Sequence, residues 1–454
     1  MVLDTFENLL QGPIPESICE IAALRYLNLG RNGFNGRIPN CIDQLTELKT
    51  FIIRDNFMEA ISSLFSLFRN SSPFFIGLSS SGVTVETDQS LFHFSFLPEY
   101  LGLRSCNLRG KIPAFISNLT QLAFLDLANN NLTGTIPSWL FQLPKLSFLD
   151  LSHNNLQGVV PPSLQLHLNL LFPMLKLASN NLQGPIPLLP KNVDILNLSQ
   201  NNFSTLRFNS ELPCQLNNVL LKNVDLSNNS LSGKVTSSLG NCKSLISLNL
   251  ASNNLSGSLP IELAFAENLS SLRVDDNHFH GPFPNFIHHL KNLEILNLGN
   301  NQFEGKIPSS IGELWNLRIL VLKSNSFYNL IPTEITHLQE LQFMDFSNYQ
   351  FTGPIPKNLG GLKTIIHQPK KGFLLGYMVE LIYIGIELEM MSKGMEHELD
   401  FVFSYHTGID LSSNYLEGKI PSEMGLLQGL YMLNLSHNRF SGEILVKSPR
   451  VSAT

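Results

Sequence analysis

The stretch LISLNLASNNLSGSLP, from Leu245 to Pro260, decides the fold, because the same pattern returns as LEILNLGNNQFEGKIP from Leu293 to Pro308. The shared pattern, LxxLxLxxNxLxGxIP, recurs mostly every 24 residues. Its second leucine serves as a marker, and the markers are Leu27, Phe51, Leu101, Leu125, Leu149, Leu175, Leu196, Val224, Leu248, Leu272, Leu296, Leu320, Met344, Ile409 and Leu433. A degenerate copy near Ile76 and a partial copy opening at Asn8 bring the total to about seventeen units. Self-similarity of this period predicts one elongated stack of repeats rather than separate globular domains.

Each position of the pattern has a structural role. The leucines of an LxL pair, such as Leu248 and Leu250, face a core shared with the neighbouring units, while the residues between them face solvent. The asparagine that follows, as at Asn253, can turn inward and bond the backbone of the turn, which predicts an asparagine ladder along the stack. The predicted fold class is an α/β solenoid: a curved superhelix of the LxGxIP type, with parallel strands on its concave face and short helical or irregular segments on its convex side.

Two smaller irregularities interrupt the pattern. The markers Leu175, Leu196 and Val224 are unevenly spaced, and the ladder asparagine is replaced by Cys106 in one unit and by Tyr349 in another. Cysteine is a common substitute at this position of such repeats, so we expect Cys106 to be tolerated. Tyrosine is too large for the same role, so we expect Tyr349 to distort the ladder locally.

The largest interruption lies between the markers Met344 and Ile409, which are 65 residues apart, one unit plus about 41 residues. Within it the segment IELEMMSKGMEHEL alternates apolar and polar residues before Ser392, which predicts a strand entering a turn and therefore a hairpin. Insertions into repeat arrays often lie on the binding face, so this island is a functional candidate, with a tolerated surface loop as the alternative. The predicted organisation is about fifteen repeats in residues 1–364, the island in 365–405, two final repeats in 406–445 and a non-repeat tail in 446–454.

The composition excludes several functional classes. Only 15% of the residues are charged, the formal net charge is −6, and no basic patch is present, so nucleic acid is not an expected partner. The most apolar stretch, FLLGYMVELIYIGIELEMM, contains Glu380, Glu387 and Glu389, which argues against a transmembrane helix. The N-terminus has no basic segment followed by an apolar one, so no signal peptide is readable.

The cysteines and the glycosylation sequons carry weaker signals. The five cysteines, Cys19, Cys41, Cys106, Cys214 and Cys242, lack CxxC spacing and leave one unpaired, so they predict neither a zinc site nor a disulfide framework. We expect each to be a buried or loop thiol. Nine Asn-x-Ser/Thr sequons would carry glycans in a secreted chain if exposed, or they arise by chance from a repeat rich in Asn and Ser. They begin at Asn70, Asn118, Asn131, Asn197, Asn202, Asn228, Asn254, Asn268 and Asn434.

Together the GxIP repeat, SCNLRGKIPAFI at Ser105 to Ile116, the preceding LFHFSFLPEY, and the segment KGMEHELDFVFSYHTGIDLSSN resemble plant leucine-rich-repeat receptor-like proteins. The resemblance covers nearly the whole chain. It implies a glycosylated plasma-membrane protein whose extracellular part recognises a microbial or developmental signal, as in plant defence, without a kinase domain of its own. It also implies that the concave face and the island bind a protein or peptide ligand, and that the repeats from Ile409 to Gly442 contact a co-receptor kinase.

This sequence departs from the family pattern at both ends. The family's signal peptide, cysteine-paired caps and transmembrane helix are not readable here, so we expect a truncated chain whose membrane link lies in a missing C-terminal segment. Two other functions stay open. One is a secreted inhibitor of a cell-wall-degrading enzyme, similar to polygalacturonase-inhibiting proteins, although those have about ten repeats and no island. The other is the ectodomain of a leucine-rich-repeat receptor kinase.

The candidate ligand-binding residues lie at solvent-facing strand positions before the island and on the island itself, although any single one is more often a solvated polar residue than a contact. They are Arg273, Asp275, Asp276, Glu294, Asn297, Arg318, Val321, Lys323, Gln342, Asp345, Lys393, Glu396 and His397.

Neither a metal site nor an enzyme is predicted. The histidines His278 and His280 flank the core residue Phe279, whereas His288 and His289 fall on the back wall, so the four do not converge on one ligand set. No catalytic motif such as GxSxG, HExxH or a P-loop occurs. We therefore expect no cofactor and no catalytic residue.

Overall fold

The computed structural model describes residues 1–59, 67–68, 70–83, 97–161, 174–187, 193–206, 221–366 and 407–443, together with the backbone of four strands between residues 376 and 399. The chain forms two compact units, Met1–Leu231 and Ser232–Thr454. Each unit is a stack of the predicted repeats, and each repeat contributes one short strand to a parallel main sheet.

The main-sheet strands are three residues long because only the LxL segment of each repeat alternates. In the N-terminal unit they are Val2–Asp4, Tyr26–Asn28, Thr50–Ile52, Phe75–Gly77, Tyr100–Gly102, Phe124–Asp126, Phe148–Asp150, Met174–Lys176, Ile195–Asn197 and Asn223–Asp225. In the C-terminal unit they are Ser247–Asn249, Ser271–Arg273, Ile295–Asn297, Ile319–Val321, Phe343–Asp345, Gly408–Asp410 and Met432–Asn434.

The strand register confirms the markers, because each marker pairs with the marker of the next repeat. Leu27 pairs with Phe51, and the degenerate copy takes its place as Ile76 pairs with Leu101. The predicted partial copy at Asn8 is a complete repeat, since the strand Val2–Asp4 precedes it and Leu3 pairs with Leu27. Its strand was missed because Thr5 occupies the position where the pattern requires a leucine.

Inward-turned asparagines form the predicted ladder between neighbouring repeats. The Nδ2 of Asn154 donates to the carbonyl oxygens of Leu127, Leu151 and Ser152 at 3.0, 3.1 and 3.2 Å. Its Oδ1 accepts from the backbone N–H of Leu132 at 2.9 Å. Each amide therefore satisfies buried backbone groups in two repeats, which would otherwise be left unpaired where the strand ends.

The two substitutions in the ladder behave differently. Cys106 is fully buried and its Sγ contacts the carbonyl oxygen of Leu78 at 3.4 Å, so cysteine fits the site as expected. Tyr349 is also buried, and its ring packs against Phe327 and Phe351 with centroid separations of 5.8 and 4.9 Å. It replaces a hydrogen-bonding amide by a ring contact, while the main-sheet register on either side stays regular. The expected distortion is therefore confined to the side chains.

A second set of parallel strands, absent from the prediction, follows the asparagine of each repeat. In the N-terminal unit these are Gln11–Pro13, Gly33–Gly36, Phe57–Met58, Arg109–Gly110, Asn131–Gly134, Asn155–Val159, Asn181–Pro185 and Asn202–Thr205. In the C-terminal unit they are Ser232–Lys234, Asn254–Gly257, His278–Pro282, Gln302–Gly305, Ser326–Asn329, Gln350–Gly353, Tyr415–Gly418 and Arg439–Phe440. The glycine of the pattern turns the chain at this point, as Gly305 does with a φ of 90° that only glycine adopts easily.

The back wall consists mainly of short 3₁₀ helices, most of which begin directly after the proline of the pattern. They are Glu16–Glu20, Asn40–Gln44, Ala114–Asn118, Ser138–Gln142, Ser237–Asn241, Ile261–Phe265, Asn285–His289, Ser309–Glu313, Thr333–His337, Leu359–Gly361 and Ser422–Leu426, and one short α-helix spans Lys363–Ile366. Nowhere in the described ranges does a helix have the length and apolarity needed to cross a bilayer.

The island leaves the main sheet between two strands that remain direct neighbours. Met344 pairs with Ile409 in the same parallel register as the other repeats. Where the sequence predicted a hairpin, the backbone strands Leu388–Ser392 and Met395–Leu399 pair antiparallel, and a second pair joins Gly376–Val379 to Ile382–Gly385.

The expectation that all cysteines are thiols was wrong. Cys19 and Cys41 form a disulfide between the adjacent helices Glu16–Glu20 and Asn40–Gln44, with their Cα atoms 5.9 Å apart. Cys242 is also disulfide-bonded. A separation of 22 residues, close to one repeat, places the two cysteines in the equivalent helices of stacked units, as the fourth residue of one helix and the second residue of the next. A search for CxxC spacing cannot find such a pair.

Candidate ligand-binding face

The solvent side of each main sheet is built from three positions of every repeat. In the repeat marked by Leu248, the first, second and third face positions are Ser247, Asn249 and Ala251. Side chains at equivalent positions stand side by side on neighbouring strands, which lie about 4.8 Å apart. Each position therefore forms a column, and a ligand lying across the strands would meet one residue of a column in each repeat.

The third column consists mostly of small residues. It contains Gly30, Ser79, Ala128, Ser152, Ala178, Ser199, Ser227, Ala251, Gly299, Ser347, Ser412 and Ser436, whereas the first repeat has Phe6 at this position. Where it is serine, the hydroxyl often bonds the second position of its own repeat, as Ser347 Oγ donates to Asp345 Oδ1 at 2.7 Å. Four long charged residues break this rule: Arg54 and Arg104 in the N-terminal unit, and Asp275 and Lys323 in the C-terminal unit.

Asp275 is a buried carboxylate with incomplete hydrogen bonding. Its Oδ2 lies 3.5 Å from Arg273 Nη2, and its buried Oδ1 has no hydrogen-bond partner among the described residues. Burial raises the pKa of Asp275, Arg273 opposes that rise and the neighbouring Asp276 adds to it. A donor from a ligand would therefore satisfy an acceptor that the protein leaves unpaired.

Lys323 reaches across a gap in the same column. Gly299 lies between Lys323 and Asp275, and a Cβ added at Gly299 would be only 3.2 Å from Lys323 Cγ. The stem of Lys323 therefore lies over the strand of Gly299. Among the residues that the structure describes, no carboxylate lies within 4 Å of its ammonium group, so the charge remains available. Lys323 also opposes the rise in the pKa of Asp345, which burial causes.

Three of the predicted ligand-binding residues, Glu294, Arg318 and Gln342, contact one another through their side chains just before their strands begin. Arg318 Nη1 lies 3.3 Å from Glu294 Oε2, and the Arg318 side chain is only 14% exposed. With its amide oxygen facing the guanidinium, Gln342 accepts from Arg318 Nη2 at 3.1 Å and Nε at 3.2 Å. These polar groups serve the sheet itself, which leaves them less able to bind a ligand.

The remaining predicted residues of the main sheet lie either at its solvent-facing positions or in the turns that follow the strands. Asn297 and Val321 are buried at the second position, and Asn297 Oδ1 accepts from the N–H of Gly299. Asp276 does not lie on a strand, contrary to the prediction, because it occupies the turn with a φ of 52° and accepts from Asn300 Nδ2.

The island candidates Lys393, Glu396 and His397 are only partly covered by the structure. Lys393 lies outside the described residues. Glu396 and His397 belong to the strand Met395–Leu399, where their backbones pair with Met391 and Met390. Their side chains also lie outside the described residues, so this part of the prediction stays a prediction.

The four histidines occupy the positions expected from the sequence. His278 and His280 are exposed on either side of the buried Phe279, and His288 and His289 lie in the helix Asn285–His289 with ring centroids 3.9 Å apart. Within the described ranges, no three side chains of metal-binding type come together.

Sequence reasoning missed a stack of aromatic rings in the N-terminal unit. Phe75, Tyr100, Phe124 and Phe148 occupy the first column of four successive strands, with centroid separations of 3.8, 4.1 and 3.8 Å and interplanar angles of at most 15°. The signal was present, because an aromatic residue precedes the marker in each of these repeats.

Arg104, from the third column, stands next to the ring stack. Its Nε lies 2.9 Å from Asp126 Oδ2 and its Nη2 lies 2.6 Å from Asp150 Oδ2. Burial raises the pKa of Asp126, while Arg104 counteracts this and Asp150 reinforces it. Two carboxylates from successive repeats thus fix one guanidinium in a single orientation.

Seven of the nine sequon asparagines are exposed, and two are half-buried on the main sheet. Asn197 Oδ1 accepts from the N–H of Ser199, and Asn434 Nδ2 donates to Asp410 Oδ2 at 2.9 Å. The exposed ones are Asn70, Asn118, Asn131, Asn202, Asn228, Asn254 and Asn268.

Comparison with known families agrees with this geometry. Models described as leucine rich repeat match residues 99–156 and 267–327, and also residues 23–45, 220–242 and 244–265. Receptor-like protein 7 of Arabidopsis thaliana is 44% identical over 63 residues, which are 14% of this chain and 6% of that protein.

Solved structures match over almost the whole chain. The crystal structure of the Arabidopsis receptor kinase HAESA in complex with the peptide hormone IDA and the co-receptor SERK1 aligns with a TM-score of 0.68 and 29% identity, covering 97% of this chain and 66% of that chain. The plant peptide hormone receptor RGFR1 in complex with RGF2 aligns with a TM-score of 0.63 and 25% identity, covering 98% and 60%. The chain thus spans somewhat less than two thirds of these relatives.

Proposed function

We propose that this chain, a leucine-rich-repeat protein of the plant receptor-like type, is the ligand-recognition part of an extracellular receptor. In this proposal the strand faces and the island bind a protein or peptide that carries a microbial or developmental signal. The matched HAESA and RGFR1 structures support a ligand of this kind, since each holds a peptide hormone. The chain itself performs no catalysis.

The observation that carries the proposal is the pair Asp275 and Lys323 in the third column, which is otherwise filled by Ala, Ser and Gly within the C-terminal unit. A buried carboxylate with an unpaired oxygen destabilises a folded protein, so its presence on a face calls for a compensating role. Lys323 supplies the opposite charge one strand beyond Gly299. Together they offer both an acceptor and a cation to a ligand that crosses three strands.

An extracellular location is supported by the disulfides and the sequons. Disulfides persist in oxidising compartments and are rare in the plant or animal cytosol, and this chain contains the Cys19–Cys41 bond and a further bond at Cys242. Seven exposed sequon asparagines could also carry glycans without burying them. We place the full receptor at the plasma membrane, with this chain on the extracellular side.

A co-receptor kinase completes the proposal, because a recognition module without catalysis must signal through a partner. The repeats from Ile409 to Gly442 are the proposed contact. The HAESA complex, which includes the co-receptor SERK1, supports a partner of this class. In the described part of this segment Tyr415 and Tyr431 are 44% and 62% exposed, and aromatic residues are enriched at protein interfaces.

The proposal is tested by secreting the full chain from plant cells and measuring its binding to a panel of synthetic secreted plant peptides by calorimetry. We expect at least one peptide to bind, and Lys323→Ala to weaken that binding about tenfold, as loss of one charge-assisted contact does. Lys291→Ala is the matched control, because Lys291 pairs with Glu313 on the back wall. Absence of any binding peptide, or equal loss in both variants, would contradict the proposal.

A further inference from the structure

The helix Ile261–Phe265, on the back wall of the C-terminal unit, ends in an exposed phenylalanine. Phe265 is 59% exposed. In the other five-residue 3₁₀ helices among the described residues the last position is polar, as His289 and Glu313 are, apart from Leu426. This repeat therefore exposes an aromatic ring at a position that the fold does not require to be apolar.

A glycosylation sequon begins three residues after this ring. It consists of Asn268, Leu269 and Ser270, and Asn268 is exposed. The N–H of Leu269 donates to the carbonyl oxygen of Ala266 at 2.9 Å, so the chain makes a tight turn between these two residues. Because a turn brings its two ends close together, it keeps the start of the sequon near the end of the helix.

The Asn268 side chain is held by a hydrogen bond that glycosylation would leave intact. Its Nδ2 donates to the carbonyl oxygen of Lys243 in the preceding repeat at 3.1 Å. Asn292, at the equivalent position of the next repeat, makes the same bond to Glu267 at 2.9 Å. An Asn amide has two N–H groups, and an N-linked sugar replaces only one of them. The remaining N–H can keep this bond, which fixes the direction in which the sugar leaves the protein.

The aromatic residues that precede other exposed sequons are buried. Phe68 stands two residues before Asn70 and Phe115 three residues before Asn118, but these phenylalanines are only 0% and 7% exposed. The remaining exposed sequons have no aromatic residue in the three positions before the asparagine. Among the described residues, the sequon of Asn268 is thus the one that follows a ring accessible to a sugar.

An exposed ring beside a sequon suits the first sugar of an N-glycan. One face of N-acetylglucosamine carries axial C–H bonds, while the hydroxyl groups lie around the rim of the sugar ring. The face of an aromatic ring is the negative part of its quadrupole, so it attracts these C–H groups. Packing the two faces together also removes apolar surface from water, which is favourable.

We propose that Phe265 binds the chain's own glycan: the first N-acetylglucosamine on Asn268 packs its C–H face against the Phe265 ring. Attachment forms a bond from Asn268 Nδ2 to C1 of a sugar diphosphate donor, and the diphosphate leaves as Nδ2 loses one proton. The inference rests on the extracellular location proposed above, because N-glycans are added to secreted chains. It does not depend on any ligand of the strand faces.

The experiment compares hydroxyl-radical oxidation of Phe265 in glycosylated and unglycosylated full chains, with the oxidised peptides measured by mass spectrometry. A signal peptide directs the chain into the secretory pathway of plant cells, and a mannosidase inhibitor keeps every glycan in its oligomannose form. Two variants remove the glycan by different routes. Asn268→Gln removes the attachment atom, whereas Ser270→Ala breaks the sequon and keeps the Asn268 amide.

Leu426 is the internal control in every sample. It occupies the same helix position as Phe265, is 49% exposed, and is followed three residues later by Gly429 instead of an asparagine. A glycan contact at Phe265 should leave the oxidation of Leu426 unchanged, whereas a general change in the fold or in radical dose would alter both residues.

We expect Phe265 to be oxidised about twofold more slowly in the glycosylated chain than in either variant, since one sugar covers one face of the ring and leaves the other open. Trimming each glycan to its first N-acetylglucosamine with an endoglycosidase should preserve this protection. Equal oxidation of Phe265 in all chains, an Asn268 without glycan, loss of protection on trimming, or an equal change at Leu426 would overturn the proposal.

The glycan contact and the receptor role fail separately. A secreted chain that binds no peptide of the panel but protects Phe265 would contradict the receptor role and support the glycan contact. A chain that binds a peptide while Phe265 is oxidised equally with and without the glycan would contradict the glycan contact alone.

Discussion

At the scale of single residues, the buried polar side chains of this protein differ in how completely they are hydrogen-bonded. The ladder asparagines use all their hydrogen-bonding capacity inside the fold, as Asn154 does with four partners. The buried Oδ1 of Asp275 has no hydrogen-bond partner among the described residues, so no hydrogen bond offsets the free-energy cost of burying this oxygen. The first behaviour stabilises the repeats, whereas the second creates a position where a ligand could bind.

Replacing Asn154 by Ala should lower the free energy of unfolding of the N-terminal unit by about 2–4 kcal/mol, because four buried backbone groups lose their partner. Denaturant unfolding measures the loss, and hydrogen exchange in residues 124–135 should locate it. Asn155→Ala is the control, since Asn155 is exposed beside it in the sequence. Equal effects of the two substitutions would show that the ladder contributes little.

The carboxyl of Asp275 predicts a pH-dependent stability. Burial raises the folded-state pKa of Asp275 above its unfolded value, so its contribution to stability is present below the unfolded pKa and is lost as pH rises through the folded pKa. Asp275→Asn should therefore raise Tm at pH 7, and the gain should shrink as pH falls towards about 4, the ordinary pKa of Asp. Thermal unfolding from pH 7 to pH 4 tests this.

The control for that experiment is Glu304→Gln, which neutralises an exposed carboxylate in the strand Gln302–Gly305. It should show no comparable gain at pH 7. A Tm of Asp275→Asn equal to or below that of the wild type at pH 7 would mean that Arg273 compensates the buried charge fully.

At the scale of elements, sequence pattern predicted the strands and their partners well, because a fixed period carries the same information in every copy. It could not predict features that arise between copies. The Cys19–Cys41 bond joins equivalent helices of successive repeats, and the ring stack from Phe75 to Phe148 joins equivalent strands. The ring stack becomes visible in the sequence when the repeats are written under one another and read by column, whereas Cys19 and Cys41 fall two positions apart in equivalent helices.

The island offers a test at this scale. Because Met344 and Ile409 pair directly, deletion of Pro369 to Asp400 should leave the main sheet intact. In a full-length receptor the deletion should abolish signalling while secretion continues, if the island takes part in recognition. Secreted protein and a ligand-induced signalling output are measured in the same plant cells. Normal signalling by the shortened receptor would assign the island to the tolerated surface loops.

At the scale of the whole molecule, the chain presents exposed sequons in both units and a charged, partly unsatisfied strand face in each. The prediction of the ligand-binding residues concentrated on the C-terminal unit, because the island was the strongest irregularity in the repeat pattern. Spatial clustering of Arg54, Tyr100 and Arg104 was not predictable in the same way, since it arises from the stacking of three neighbouring strands and not from the pattern within one repeat.

Secretion from plant cells should load glycans mainly on the seven exposed sequons. Asn197 and Asn434 should show low occupancy, because each is half-buried in the main sheet and its amide is engaged with a neighbouring side chain or backbone group. Glycopeptide mass spectrometry of the intact secreted chain measures the occupancy of each site. High occupancy at Asn434 would imply that the final repeats are more open than described.

The column of small residues also matters for how such a chain acquires new partners. Arg54, Arg104, Asp275 and Lys323 all stand in that column while the strands beside them keep the regular parallel register. A change from serine or alanine to a long charged residue there leaves the leucine core untouched. Natural variation can therefore change the recognition surface one repeat at a time. A combinatorial library restricted to this column would vary binding specificity and leave the fold unchanged.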